Sequence, residues 1–294
     1  MNTFQCYLRS QWEKIEKRLN ELVPKPSAPD QSLFHAARYS LINAGKRIRP
    51  ILTLATTEML EGDIEQALSP ACALEMVHTY SMIHDDLPSM DNDDFRRGKP
   101  SLHKIYPEGE AILAGNLLLT LAFELIADES TLTPQQRVNL ISSLAKNSGG
   151  GGMIAGQAMD LQSEEKKMDL KRLKEIYLKK TAALISTSVE FGVIISDAPS
   201  DIRDTLQHFA QEIGLAFQII DDILDVTSSK EKHGNMIASD VKNGKTTYPS
   251  LMGLEQARTA THSLLCSAKE KLAALPYDTS ILSQITDFVA NRTH

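Results

Sequence analysis

With 294 residues, the chain is long enough for one large domain or two average ones, and 42% hydrophobic residues support a sizeable core. A charged fraction of 23% excludes a disordered polyelectrolyte, and a net charge of −7 excludes a generally basic nucleic-acid binder. An anionic substrate would need local bases or bound cations to reverse the field at its site.

Taken in chain order, the pattern is helical throughout. Arg9, Glu13, Lys14, Glu16, Lys17 and Arg18 interrupt any apolar signal core. Leu8, Trp12, Ile15, Leu19 and Leu22 advance by three and four residues, predicting an amphipathic helix that Pro24 and Pro26 end. Asp30, Ser69, Thr133, Asp169 and Ser280 are candidate N-caps, with Pro70 and Pro134 at the first helical positions after two of them. Pro88, the Gly149–Gly152 run, Pro199 and Pro276 separate further helices. The greasy stretch Ala111 to Ala127 contains Asn116 and Glu124 and reads as a buried helix rather than a membrane span. No period-two strand bounded by hairpin turns stands out, so the expectation is an all-α fold of roughly ten helices in a single domain over residues 1–294. Cys6, Cys72 and Cys266 are far apart and odd in number, so they read as reduced thiols of a cytoplasmic protein.

Two segments, Pro88 to Pro107 and Thr227 to Thr247, are polar, turn-rich and long for connections, and loops of that length are usually functional. Each follows an aspartate cluster that ends an apolar helix. The first contains Asp85, Asp86 and Asp91, and the second Asp221, Asp222 and Asp225. Asp221 and Asp225 share a helix face, where like charges repel unless a cation compensates. Magnesium suits that role, since it takes carboxylate oxygens and keeps waters and substrate phosphates as its other ligands. Pro88 disfavours simple continuation of the first helix, so Asp91 should return toward Asp85 from the loop. Basic residues accompany the clusters: Arg96 and Arg97, Lys46 and Arg49 in the Ala44–Pro50 segment, Lys180 with Thr181, and Lys245. Arginine forks and lysine point charges suit phosphate oxygens. A histidine on an apolar helix, such as His78 or His84, is more often a satisfied core residue.

Asp85-Asp86-x-x-x-x-Asp91 followed by Arg96-Arg97-Gly98, with Phe217-Gln218 before Asp221-Asp222-x-x-Asp225, resembles the two aspartate-rich motifs of the trans-isoprenyl diphosphate synthases. Gly156-Gln157 with Asp160-Leu161, and Lys180-Thr181, match the same family in order and spacing, and the similarity is closest to the bacterial farnesyl type. The resemblance implies a homodimer, each subunit a helical bundle around a deep central cavity, with magnesium, three ions per active site, as cofactor. It implies that isopentenyl diphosphate condenses with dimethylallyl or geranyl diphosphate to give farnesyl diphosphate, without nucleic acid or a membrane span. Asp85, Asp86, Asp91, Asp221 and Asp225 would hold metal. Arg96, Lys180 and Lys245 would contact diphosphate, and Lys46, Arg49, His78 and Arg97 would grip isopentenyl diphosphate. Thr181 and Gln218 match positions whose oxygens face the allylic cation, and the released diphosphate would take the proton. Tyr80 and Ser81 match the positions that set chain length. The chain departs from the family at Ala44-Gly45, where two glycines are usual, and at Gly234-Asn235, where Gly-Lys is usual and Lys230 or Lys232 would have to substitute. The alternative readings are a geranylgeranyl diphosphate synthase, a class I terpene cyclase, or a silent subunit of a heteromeric synthase.

Overall fold

The computed structural model describes residues 3–25, 32–163, 168–231 and 246–291, with the side chains of 228–231 outside the description. The predicted cap Asp30 and the residues Lys232, Asn235 and Lys245 therefore lie outside the described residues, as does the side chain of Lys230. The chain divides into two compact units, Met1–Ser142 with Ile194–Ser196, and Ser143–Val193 with Asp197–His294. Both are built of helices, as the periodicity predicts.

In the first unit, α1 (Thr3–Leu22) buries Phe4, Gln11, Ile15, Glu16 and Leu19, so two polar residues join the expected stripe while Leu8, Trp12 and Leu22 sit at its half-buried edge. It is followed by α2 (Ser32–Leu41), α3 (Ile48–Met59) and α4 (Ile64–Asp85). Helix α4 packs against α3 and α5 and buries an almost unbroken run from Ala67 to Val77, the signature of a helix apolar all round. Its start differs from the expectation. Asp63, not Ser69, is the N-cap, its carboxylate accepting from the Glu65 amide at 2.9 Å, and Pro70 lies inside the helix. Burial of Ala67 and Leu68 favours the extra turn, and Ser69 instead accepts from Arg18 Nη2 at 2.9 Å.

Helix α5 (Glu108–Asp128) also departs from the prediction of a buried helix. Ala111, Ala114, Gly115, Leu118, Ala122 and Ile126 form its buried face, whereas Leu113 is 56% exposed and Ile112 38%. By length and composition α5 could cross a membrane, although only a third of its apolar window is buried. A short hairpin, β1 (Phe95–Arg96) and β2 (Lys99–Pro100), precedes it. Pattern reading overlooks this pair because two-residue strands show no alternation. Arg97 and Gly98 both take positive φ, 53° and 76°, the backbone of a tight hairpin turn.

The second unit takes in the end of α6 (Pro134–Ser148), then α7 (Met153–Ser163), α8 (Leu170–Tyr177), a π turn (Leu178–Ala182), all but the last two residues of α9 (Ala183–Ile195), and α10 (Ser200–Glu231). Helices α11 (Tyr248–Met252), α12 (Leu254–Ala273) and α13 (Ser280–Ala290) complete it. Thr133 and Asp169 cap α6 and α8 as expected, Asp169 accepting from the Arg172 amide at 2.8 Å. The last cap falls one residue earlier, at Thr279, with Asp278 accepting from the Ser280 amide at 3.0 Å. Helix α10 packs along α12, and Leu173, Ile176, Tyr177, Ile219 and Tyr248 form a core cluster beneath the second aspartate motif.

Candidate active site

In the first unit, α4 ends at Asp85 with Asp86 as its C-cap, and the chain doubles back. The Asp91 amide donates to the Asp85 carbonyl at 2.9 Å, which returns Asp91 to Asp85 as the proline after the cluster suggested. Asp85 and Asp91 are half-buried, whereas Asp86 is 3% exposed. Burial pushes the Asp86 carboxyl above its ordinary range, and the Arg96 guanidinium pulls the other way. Arg96 donates to Asp86 Oδ1 through Nε at 2.8 Å and also through Nη2, which reaches Asp93 Oδ2 at 2.8 Å as well. In this structure, then, the hairpin seats Arg96 on an aspartate that sequence reasoning assigned to metal.

The basic side of this unit is the turn between α2 and α3. Gly45 takes a φ of 79°, and a Cβ there would lie 2.5 Å from Arg97 Nη1, so only glycine lets the Arg97 guanidinium approach. Arg49 Nη1 stands 3.2 Å and Arg97 Nη2 3.5 Å from His78 Nε2. A ring nitrogen facing two guanidiniums must accept rather than donate. Burial, reinforced by Arg49 and Arg97, accordingly holds the His78 imidazole well below its usual range, neutral near pH 7. Lys46 is exposed at the tip of the turn. A cavity of about 100 Å³ has Gly45, Asp86, Arg96 and Arg97 in its lining.

Tyr80 is buried on α4, its ring edge-to-face with His84 at 5.6 Å and its hydroxyl without a hydrogen-bond partner. Burial and the Asp85 charge push its phenol up to about 12. The Ser81 hydroxyl donates back to the His78 carbonyl at 2.9 Å. His84 is half-buried rather than a core residue, and its Nε2 stands 3.1 Å from the Ile112 carbonyl.

In the second unit, Asp221, Asp222 and Asp225 lie within α10 rather than at its end, because the helix runs on to Glu231. Asp222 is 2% exposed and faces inward. It accepts from the Tyr177 hydroxyl, from the Tyr248 amide at 2.8 Å and from Gln218 Nε2 at 3.2 Å. Gln218 is thereby oriented, and its Oε1 accepts from Thr181 Oγ1 at 2.7 Å. Asp221 and Asp225 are half-buried. The structure brings Thr181 and Gln218 together, while Lys180 Nζ pairs with Asp160 at 2.7 Å. Both Lys180 and Thr181 sit on the π turn, a distortion that often marks functional sites. Sequence reasoning missed the supporting roles of Tyr177, Tyr248 and Asp222. A paired aspartate signals charge but not which of the two points inward.

Among the described residues, no three His, Cys, Asp or Glu side chains gather closely enough to enclose a metal. Magnesium takes hard oxygen ligands and completes its shell with substrate phosphates and waters. The donors on both helices are hard aspartate oxygens, with no thiolate among them.

The polyprenyl synthetase family model matches residues 30–277. A farnesyl diphosphate synthase of Geobacillus stearothermophilus is 44% identical over 290 residues, 98% of this chain and 97% of that one. A geranylgeranyl diphosphate synthase of Cyanophora paradoxa is 43% identical, with 98% and 96% covered. The crystal structure of a Helicobacter pylori geranyltransferase complexed with magnesium and isoprenyl diphosphate superposes with a TM-score of 0.85 at 33% identity, covering 99% of this chain and 97% of that one.

Proposed function

Because this chain belongs to the polyprenyl synthetase family and is a trans-prenyltransferase, we propose that its main product is farnesyl diphosphate, made from isopentenyl diphosphate and dimethylallyl or geranyl diphosphate. The observation that carries the reading is the first unit's cavity, where Asp86 and Arg96 meet Gly45 and Arg97 beside the Arg49–His78 pair. The family depends on magnesium; the ion, for which we propose three copies per active site, would supply positive charge against the leaving diphosphate. Asp85, Asp86 and Asp91, together with Asp221 and Asp225, would hold it. Lys180, Arg96 and Lys245 add positive charge where the allylic C–O bond breaks. Lys46, Arg49, His78 and Arg97 orient isopentenyl diphosphate so that its double bond meets the allylic cation. Thr181 and Gln218 present oriented oxygens toward that cation, their geometry fixed by Asp222. The departing diphosphate takes the final proton.

We assign both units to one functional domain over residues 1–294, in keeping with a family model that runs through both. The protein is proposed to be a cytoplasmic homodimer. The exposed apolar side chains Leu113 and Val138 of the first unit supply a surface for a second copy.

Fifteen carbons is the expected length because Tyr80 is buried on the helix that leads away from Asp85, five residues or roughly 7.5 Å along its axis. A geranylgeranyl product is the second reading, favoured by the close match to the Cyanophora paradoxa enzyme. Incubation with dimethylallyl and isopentenyl diphosphates and magnesium, followed by chromatography, tests the proposal. A dominant fifteen-carbon product supports it, and a dominant twenty-carbon one overturns it. Tyr80→Ala is expected to lengthen the product, and a variant still stopping at fifteen carbons would place the stop elsewhere.

A further inference from the structure

The turn between α2 and α3 carries three cations, and they point in different directions. Lys46 is exposed and Arg49 half-buried, whereas the Arg47 side chain is 0% exposed. Arg47 Nε donates to Glu16 Oε1 at 2.8 Å, Nη1 to Glu75 Oε1 at 2.7 Å, and Nη2 to the Leu41 carbonyl. Each of its three nitrogens is committed to the protein, so Arg47 cannot itself bind a diphosphate. Glu16 also accepts from the Asn43 amide at 2.9 Å through its other oxygen, and Trp12 Nε1 donates to the Gly45 carbonyl at 3.2 Å. The turn is thus tied from behind, by α1 through Glu16 and Trp12, and by α4 through Glu75.

The backbone explains why such ties are needed. Asn43, Gly45 and Arg47 take φ values of 52°, 79° and 55°, three left-handed residues within five, two of them not glycine. Residues held in that region persist only where their surroundings over-determine them. A buried ion triad adds little net stability over an apolar cluster of the same volume, so stability alone is a poor reason to keep one. Its value lies in specifying a single conformation of a strained turn.

We infer that Arg47 is a positioning residue for isopentenyl diphosphate: its buried fork, held between Glu16 and Glu75, fixes the turn so that Lys46 and Arg49 present their charges to the diphosphate. The inference rests on the proposed role of Lys46 and Arg49 as diphosphate contacts. Steady-state kinetics with each substrate varied in turn test it, using Arg47→Lys, which keeps the charge and loses the fork, and Glu16→Gln, which keeps the shape and loses a charge. Both variants are expected to raise KM for isopentenyl diphosphate about fivefold or more while KM for geranyl diphosphate and kcat move less than about twofold. Combined with Lys46→Ala, Arg47→Lys should add less than its separate effect, because both act on one contact. The inference is overturned if KM for isopentenyl diphosphate stays unchanged in folded Glu16→Gln, or if both KM values and kcat shift together in step with lost thermal stability. Should Arg47→Lys fail to fold, Glu16→Gln decides alone. If Lys46→Ala leaves KM for isopentenyl diphosphate untouched, it is the role of the turn itself that fails, which separates the two outcomes.

Discussion

Gly156→Ala pits helix propensity against packing. Gly156 lies within α7, where alanine is favoured over glycine by about 1 kcal/mol, so local structure alone forecasts stabilisation. The tertiary environment forecasts the reverse. A Cβ at Gly156 would lie 2.3 Å from the Lys180 amide nitrogen and 2.6 Å from Lys180 Cα, against about 3.4 Å for ordinary contact. Both neighbours are backbone of the π turn and cannot swing aside as a flexible side chain could. Relief requires the turn to retreat by about 1 Å, and overpacking of that kind costs ~1–3 kcal/mol, which outweighs the propensity gain. The functional cost is larger, because Lys180 and Thr181 ride on the displaced segment and ~1 Å of misplacement can cost about a hundredfold in rate. The assay pairs thermal melting with kcat at saturating substrates. The expected result is a modest loss of stability with a disproportionate loss of kcat. A variant as stable as the parent, with the parent's turnover, would refute the packing argument and show that α7 can move away freely.

Asp85→Ala and Asp221→Ala should each lower turnover by orders of magnitude at saturating magnesium while the helical circular dichroism signal stays intact; near-normal kcat in both would remove the metal assignment. Asp222→Asn should act through structure: Tyr177, Tyr248 and Gln218 all donate to Asp222, so an amide nitrogen must face at least one donor, at a cost of ~1–3 kcal/mol measurable as a lower denaturant midpoint. His78 gives a pH signature. Its folded pKa is depressed below the ordinary 6.5, so below that pH the unfolded chain takes up a proton that the folded chain refuses. The stability supplied by the neutral imidazole is complete above pH 6.5 and is lost as pH falls further, with a limiting slope of ~1.4 kcal/mol per pH unit. Denaturant midpoints at pH 7.5 and 5.5 should therefore diverge less in His78→Gln than in the parent, and equal divergence would assign the slope to other groups.

How much of this was legible in the sequence depends on whether a feature is local. Asp169 and Thr133 are caps that act within their own first turn, so residue type and position suffice to find them. The return of Asp91 to Asp85 follows from a proline that blocks the helix and a polar run that follows it. The start of α4 is not legible locally, because Ser69-Pro70 is a good local signal that burial of the surrounding alanines and leucines overrides. In α5 the polar residues Asn116, Thr120 and Glu124 fall four apart on one exposed face, but the large apolar Ile112 and Leu113 share that side, so the high mean hydropathy masks the division. The small residues Ala111, Ala114, Gly115 and Ala122 mark the buried side more reliably than the large ones do.

Charge pairing was less legible than charge itself, and the two clusters show why in physical terms. A run of adjacent aspartates places successive carboxylates about 100° apart around a helix, so not all of them can point the same way. In α10 the middle residue, Asp222, turns into the core, where two tyrosines and a glutamine satisfy it, and Asp221 and Asp225 remain on the accessible face. At the end of α4 the same division leaves Asp85 and Asp91 half-buried and gives Asp86 to Arg96. Each motif therefore combines accessible carboxylates with one that anchors its surroundings. The anchor in α10 orients Gln218, and through it Thr181, while the anchor beside α4 holds the hairpin that carries Arg97 toward His78. Loss of Asp222 should thus disturb substrate contacts that it never touches, an effect that a reading of the motif as bare metal ligands does not anticipate.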